Sequence, residues 1–144
     1  MPRFMLIVNY DPGAVSTPMA EWAPEDIQAH MDYYRVLTEQ IIASGEQVDD
    51  QVLTFPDRAS IVTSDGKSAP VVTDGPFSEF KEFLAGFKVV DVESRERAIE
   101  IAAALSAVPG PGGIPTQQPI QVRQILSAAE AGQLSQDEML DQLL

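Results

Sequence analysis

A run of β-branched residues that stops at a rigid turn is the feature that most restricts how this chain can fold. Val71-Val72-Thr73 leads into Asp74-Gly75-Pro76, where glycine takes backbone angles closed to other residues and proline fixes its own φ. The Asp74 carboxylate can accept a hydrogen bond from a nearby backbone N–H. The segment therefore predicts a strand whose end presents one carboxylate at a sharp turn.

Length and composition indicate a single folded domain. The chain has 144 residues, of which 44% are hydrophobic and 22% charged, as in ordinary globular proteins that bury a core. Its apolar runs are far shorter than a membrane span, and its first residues read as a strand rather than an export signal. We expect a cytoplasmic protein with one domain over residues 1–126 and an acidic amphipathic helical tail over residues 127–144.

Charge and residue usage exclude several classes of function. Nine Lys and Arg against 22 Asp and Glu give a net charge of 9 − 22 = −13, which disfavours nucleic acids and anionic membranes as partners. The chain has no cysteine and one histidine, which excludes disulfides, thiolate sites and multi-histidine metal sites within one chain. An oxygen-only cation site stays open. We interpret Asp49-Asp50, the nearest match, as a solvated acidic turn, and predict no metal.

Hydrophobic periodicity predicts an α+β fold. A first helix begins at Pro24 and ends before Gly45, with an apolar stripe at spacings of three and four, and a second helix, capped by Ser94, follows from Arg95. The order of elements suits a ferredoxin-like sandwich with both helices on one face of the sheet. Strands are predicted at residues 4–10, 48–54, 59–64, 69–73, 84–92 and 120–125, with a helical turn at residues 78–83.

Two residues could carry acid–base chemistry. His30 lies beside the apolar stripe of the first helix, and Asp74 ends a strand. A histidine whose second ring nitrogen is held by a carboxylate exchanges protons near neutral pH. The alternative is that His30 packs and Asp74 only turns the chain.

Other candidate residues have equally good structural interpretations. Tyr10 and Phe77 could line an apolar pocket, and Arg123 could meet an anionic substrate. Each could instead serve packing or a solvated surface. The long loop over residues 11–23, which carries Trp22, either borders a binding site or folds back onto the first helix.

Over about residues 4–126 the chain resembles YCII-related proteins of the DGPF group. The resemblance implies a dimeric α/β-barrel built from two ferredoxin-like units, with a pocket between the sheet and the first helix. It also implies a His–Asp active site in that pocket, which by position would be His30 and Asp74. Glutamines replace the family's usual acid and proline in the last strand. The matching stretches are Ala29-His30-Met31-Asp32-Tyr33-Tyr34, Gly45, Asp74-Gly75-Pro76-Phe77, the turn around Lys81, and Gly86-Phe87.

Two classes of function remain open from the sequence. The first is a homodimeric, enzyme-like protein that shifts a proton or drives an elimination on a small aromatic or lactone-like metabolite, with neither metal nor organic cofactor. The second is a non-catalytic module that binds a ligand or a partner. For this second class, the resemblance suggests a regulatory accessory role beside alternative sigma factors.

Overall fold

The computed structural model describes residues 1–9, 13–74, 84–133 and 136–143. Its centre is a four-stranded antiparallel sheet, beside which two short strands form a separate hairpin. The predicted helical turn at residues 78–83 lies outside the described residues. The strands are β1 Arg3–Asn9, β2 Gln47–Val52, β3 Ser60–Thr63, β4 Val71–Asp74, β5 Leu84–Asp91 and β6 Ile120–Ile125, and the helices are α1 Pro24–Ala43, α2 Arg95–Ser106, α3 Ala128–Gln133 and α4 Gln136–Leu143.

The strand order of the large sheet is β2-β5-β1-β6. The β3–β4 hairpin is not part of this sheet. In the sheet, β1 and β5 lie at the centre, and β2 and β6 form the edges. All three pairings are antiparallel. This arrangement is consistent with the predicted ferredoxin-like α+β fold.

The core lies between one face of the sheet and the two long helices. Phe4 of β1 lies directly opposite Val90 of β5, and residues opposite each other on neighbouring antiparallel strands point to the same face of the sheet. They form one buried cluster with residues from both helices, and the face they share is the helix face of the sheet. The other members of the cluster are Leu6, Ile41, Val92, Ala98, Ile101, Ala102 and Leu105.

Local signals set the ends of the helices, as the sequence predicts. Pro24 is the first residue of α1, and Gly45, just after the helix, has a φ of 79°. Ser94 caps α2 by accepting a hydrogen bond from the backbone N–H of Arg97 at 3.2 Å. In the part of the chain that is described, no helix is long and apolar enough to cross a membrane.

The interpretation of Asp49-Asp50 as an acidic turn is wrong. Both residues lie within β2, in agreement with the strand predicted at residues 48–54, and Asp50 pairs with Lys88 of β5. A strand at the sheet edge leaves one side of its backbone to solvent, so it tolerates charged residues that a central strand would not. Asp50 nevertheless has a defined partner, because its carboxylate binds the Lys88 ammonium at 2.7 Å.

A bidentate ion pair fastens α2 to the segment that precedes β2. Arg97 donates from Nε and Nη2 to the two carboxylate oxygens of Glu46, each at 2.9 Å. Ser44 donates a further hydrogen bond to Glu46 at 2.7 Å. Hydrogen bonding from Arg97, and then from Ser44, holds the pKa of the Glu46 carboxyl below its usual value. The ionised form of Glu46 is therefore the form that stabilises the fold.

We expect Glu46→Gln to lower the free energy of unfolding by about 1 kcal/mol near neutral pH, because the pair is only partly shielded from solvent. A depressed carboxyl pKa stabilises the fold above the ordinary pKa of glutamate, and that stabilisation is lost as the pH falls through the folded-state value. Urea unfolding at neutral pH and at about pH 3 should show the difference between wild type and variant shrinking in acid. Glu100→Gln, which removes an exposed partner of Arg97, is the control with the smaller effect. An equal difference at both pH values would contradict the assignment.

Candidate functional site

His30 lies in the second turn of α1, enclosed by aromatic rings. Its side chain is buried at 8% exposure. The Trp22 ring meets the imidazole edge-on at a centroid distance of 5.3 Å, and the Tyr34 ring does so at 5.1 Å. Tyr34 follows one turn later on the same helix face, whereas Trp22 comes from the loop before α1. Two aromatic contacts therefore fix the plane of the imidazole.

One hydrogen bond determines which ring nitrogen of His30 carries the proton. His30 Nδ1 lies 2.9 Å from the carbonyl oxygen of Pro109, in the loop after α2. A carbonyl can only accept, so Nδ1 must be the donor and carry a hydrogen. In the neutral ring Nε2 then has the lone pair, and no hydrogen bond to Nε2 is found within the described residues. Nε2 is thus the nitrogen that can take up a proton.

A cleft of about 260 Å³ lies beside His30. The Trp22 indole N–H donates to the Thr17 carbonyl at 2.9 Å, and the Ala14 N–H donates to the Thr116 carbonyl at 2.8 Å. The first bond closes the loop on itself, and the second ties it to the segment before β6. The Trp22–His30 ring contact folds the loop back onto α1, as one of the two alternatives predicted, and a binding site at the cleft stays a prediction. Among the described residues, no Asp, Glu, Lys or Arg side chain lines the cleft. Its described lining consists of His30, Trp22, Val15, Ser16, Thr17, Pro18, Met19, Thr116 and Gln118.

Asp74 is placed at the end of β4, in the two-stranded hairpin. It pairs with Ser60 in the register of β3 and β4 and accepts a hydrogen bond from the Ser60 hydroxyl at 3.0 Å. The carboxylate is exposed. Across the described ranges, neither a hydrogen bond nor an ion pair joins Asp74 to His30, so their pairing stays a prediction.

The three predicted pocket residues have separate outcomes. Tyr10 and Phe77 lie outside the described residues. Arg123 is exposed on β6 and pairs with Met5 of β1. Met5 precedes Leu6, whose side chain is in the core, so Met5 and Arg123 lie on the face of the sheet that turns away from the helices. A role for Arg123 toward substrate stays a prediction.

Lys88 is a buried cation that the sequence interpretation overlooked. Its residue exposure is 6%, and its ammonium donates to Thr38 Oγ1 at 3.2 Å, Gln47 Oε1 at 3.0 Å and Asp50 Oδ2 at 2.7 Å. The signal was present, because Lys88 alternates with Gly86 and Val90 on the inward face of a strongly apolar strand. In the described portion of the chain, no group of three or more acidic or histidine residues is arranged to hold a metal ion.

Two replacements of His30 distinguish the contribution of its packing to stability from the contribution of its hydrogen bond. His30→Leu keeps a side chain of similar bulk but leaves the Pro109 carbonyl without its donor, so we expect a loss of about 1–3 kcal/mol in the free energy of unfolding. His30→Asn places an amide N–H near the position of Nδ1 and should lose less. Urea unfolding of the two variants measures both. A leucine variant as stable as wild type would show that the bond to Pro109 contributes nothing.

Comparison with known proteins identifies the family. The model of the YCII-related domain matches residues 2–114, from β1 to the loop after α2, and so includes His30, Asp74, Lys88 and Pro109. A search of curated proteins finds no match to the chain. Because the family model covers well over half of the sequence, the chain belongs to the YCII-related family.

Proposed function

We propose that this protein is an acid–base catalyst that shifts a proton on a small metabolite, with His30 as the proton acceptor. The observation that carries the proposal is the hydrogen bond from Nδ1 to the Pro109 carbonyl. It fixes the tautomer in which Nε2 is basic, at a residue that lines a cleft of about 260 Å³. Nε2 would remove a proton from carbon and return it at a neighbouring atom of the same substrate.

The lining of this cleft favours a substrate without charge. Apart from the rings of His30 and Trp22, the polar side chains of its described lining are hydroxyls and an amide, from Ser16, Thr17, Thr116 and Gln118. Neutral hydroxyls and amides can bind a carbonyl or lactone oxygen but provide no counter-ion for a carboxylate or phosphate. We therefore favour a neutral carbonyl compound, such as a lactone, over an anionic substrate.

In this mechanism Asp74 would act through its negative charge and would not orient the His30 ring. The Pro109 carbonyl already occupies Nδ1, so a carboxylate near His30 would act by stabilising the protonated imidazolium. This role requires the β3–β4 hairpin to bring Asp74 near His30, within the chain or from a second copy. Through such a contact, Asp74 would raise the affinity of Nε2 for the proton it receives.

Titration of the His30 ring by NMR, in wild type and in Asp74→Asn, tests this contact. Removing a nearby negative charge disfavours the protonated ring, so we expect the pKa of His30 to fall in Asp74→Asn. Asp65→Asn is the matched control, because it removes the same charge from the tip of the same hairpin while keeping the oxygen that accepts from Lys67 and Ser68.

Equal titration curves for wild type and Asp74→Asn would remove Asp74 from the proposal. A partner-binding module would then be the better alternative, and one observation supports it. Helix α4 exposes Leu140 and Leu143 at 48% and 78%, which gives the acidic tail an apolar surface that a partner could cover.

We also propose that the protein is a homodimer that pairs through the face of the sheet opposite the helices. This face carries the half-buried side chains of Met5, Ile7 and Phe87. Apolar residues on an uncovered sheet face favour association, and two such faces can cover each other around a two-fold axis.

Sedimentation velocity at about micromolar concentration should give a dimer for the wild type. Ile7→Lys places a charge on the proposed interface and should shift the protein to monomer while circular dichroism stays unchanged. Ile99→Lys puts the same charge on the outer surface of α2, where Ile99 is 40% exposed, and should leave the dimer intact. A wild-type monomer would rule out this mode of pairing.

A further inference from the structure

A groove of about 420 Å³ lies between α2 and β6. Ile120 and Val122 line it from β6. Val122 lies opposite Leu6 of β1, which is in the core, so Val122 and Ile120, two positions apart, both point to the helix face of the sheet. Both are only half-buried, because the helices leave this edge of the sheet partly uncovered. The other lining residues come from α2 and are Arg95, Ile99, Ala102, Ala103 and Ser106.

Arg95 places a positive charge at one end of the groove. Its side chain is exposed in the first turn of α2, and it makes neither a hydrogen bond nor an ion pair with any described residue. Arg97, two positions further on, is by contrast held by Glu46. An open guanidinium attracts a carboxylate that approaches along the groove. The groove is therefore suited to a segment that has an apolar side with an acid beside it.

Helix α4 has such a side. Leu140 and Leu143 lie three positions apart, on the same side of the helix, and they are 48% and 78% exposed. Asp141 is also exposed and lies about 100° round the helix from Leu140, so it borders the two leucines. A helix of eight residues is too short to be stable alone in water, so α4 needs a surface to pack on. Both β6 and α4 lie beyond residues 2–114, the range that the family model matches.

We propose that α4 of one copy docks into the α2–β6 groove of a second copy, and that each copy gives one helix and receives one. The two leucines would pack against Ile99 and Val122, and Asp141 would pair with Arg95. Because Asp141 is near the C-terminal end of α4 and Arg95 is the first residue of α2, this pairing sets the two helices antiparallel. Opposite ends of the two helix dipoles then lie side by side, which favours the arrangement.

The surfaces that one chain leaves open favour a second copy as the occupant. Within the chain, the leucines of α4 are exposed and the groove is open. Exchange about a two-fold axis would cover both surfaces in both copies and close the assembly at two. The exchange rests on the homodimer proposed above, since one side of so short a helix buries less than the roughly 1,200 Å² of a stable interface. It adds to the sheet-face pairing, which still holds the two copies together when α4 is displaced.

Cross-linking of introduced cysteines tests the contact directly, because the chain has no cysteine of its own. Ala103→Cys and Leu140→Cys, combined in one chain and treated with a flexible bismaleimide, should give a covalent dimer on a denaturing gel. Val36→Cys with Leu140→Cys is the matched control, since Val36 is exposed on α1 outside the groove, and this protein should stay monomeric on the gel. Each single variant should stay monomeric as well, which excludes links between identical positions.

The charge pair is tested with the same two cysteines in place. Arg95→Glu should slow the cross-linking about fivefold at low salt, because a glutamate there repels Asp141. Adding Asp141→Arg should restore the rate, since it forms the pair again with the charges exchanged. Arg58→Glu makes the same change at an exposed arginine outside the groove and should have no effect.

Sedimentation velocity on the same proteins separates this proposal from the homodimer itself. A dimer that gives no link between chains, or one whose link lies within a single chain by mass spectrometry, would overturn the docking of α4 and leave the sheet-face pairing intact. A rate that Arg95→Glu does not change would overturn it as well, because the groove would then not recognise the acidic helix. A wild-type monomer would overturn both proposals.

Discussion

The buried ammonium of Lys88 is the interaction on which the arrangement of helix and sheet depends. Removing a charge from water costs several kcal/mol, and the cost is offset only when every hydrogen on the nitrogen finds an acceptor. Here the acceptors come from α1 and from β2, so one residue of β5 fastens the helix to the edge of the sheet. Losing any acceptor would leave part of the charge unmatched. Three hydrogen bonds hold this group at the polar end of a cleft between α1 and the sheet.

Helix α1 separates two chemically different clefts. His30 and Tyr34, one turn apart, are in ring contact, yet His30 lines the cleft formed by the loop over residues 13–23, and Tyr34 lines the one against the sheet. The first combines a basic nitrogen with neutral polar groups. The second combines apolar walls with a hydroxyl and a carboxylate oxygen. The position of each residue on the helix explains why they line different clefts. His30 and Tyr34 lie one turn apart on the same face of α1, and the surroundings of that face differ from one turn to the next.

The elements that sequence could predict are those that local chemistry determines. Pro24 and Gly45 bound α1, Ser94 caps α2, and the alternation in residues 120–125 gives β6, because each signal acts over a few residues. The ion pair of Lys88 and Asp50 is different, because its partners lie 38 positions apart. Their contact follows from the register of β2 against β5, and register depends on the whole sheet. Two adjacent acids therefore looked like a turn, although one of them neutralises a buried cation.

The partner of His30 could not be predicted for a related reason. A backbone carbonyl has no residue signature, and Pro109 lies 79 positions from His30, so side-chain chemistry pointed to a carboxylate instead. The difference matters physically. A neutral carbonyl fixes the tautomer but stabilises the imidazolium less than an anion would. With Nδ1 occupied, a carboxylate bonded directly to the ring would have to use Nε2, and it would then block the atom that must accept the substrate's proton. A catalytic His30 therefore requires any nearby acid to act through space, at a distance that leaves Nε2 open to the cleft.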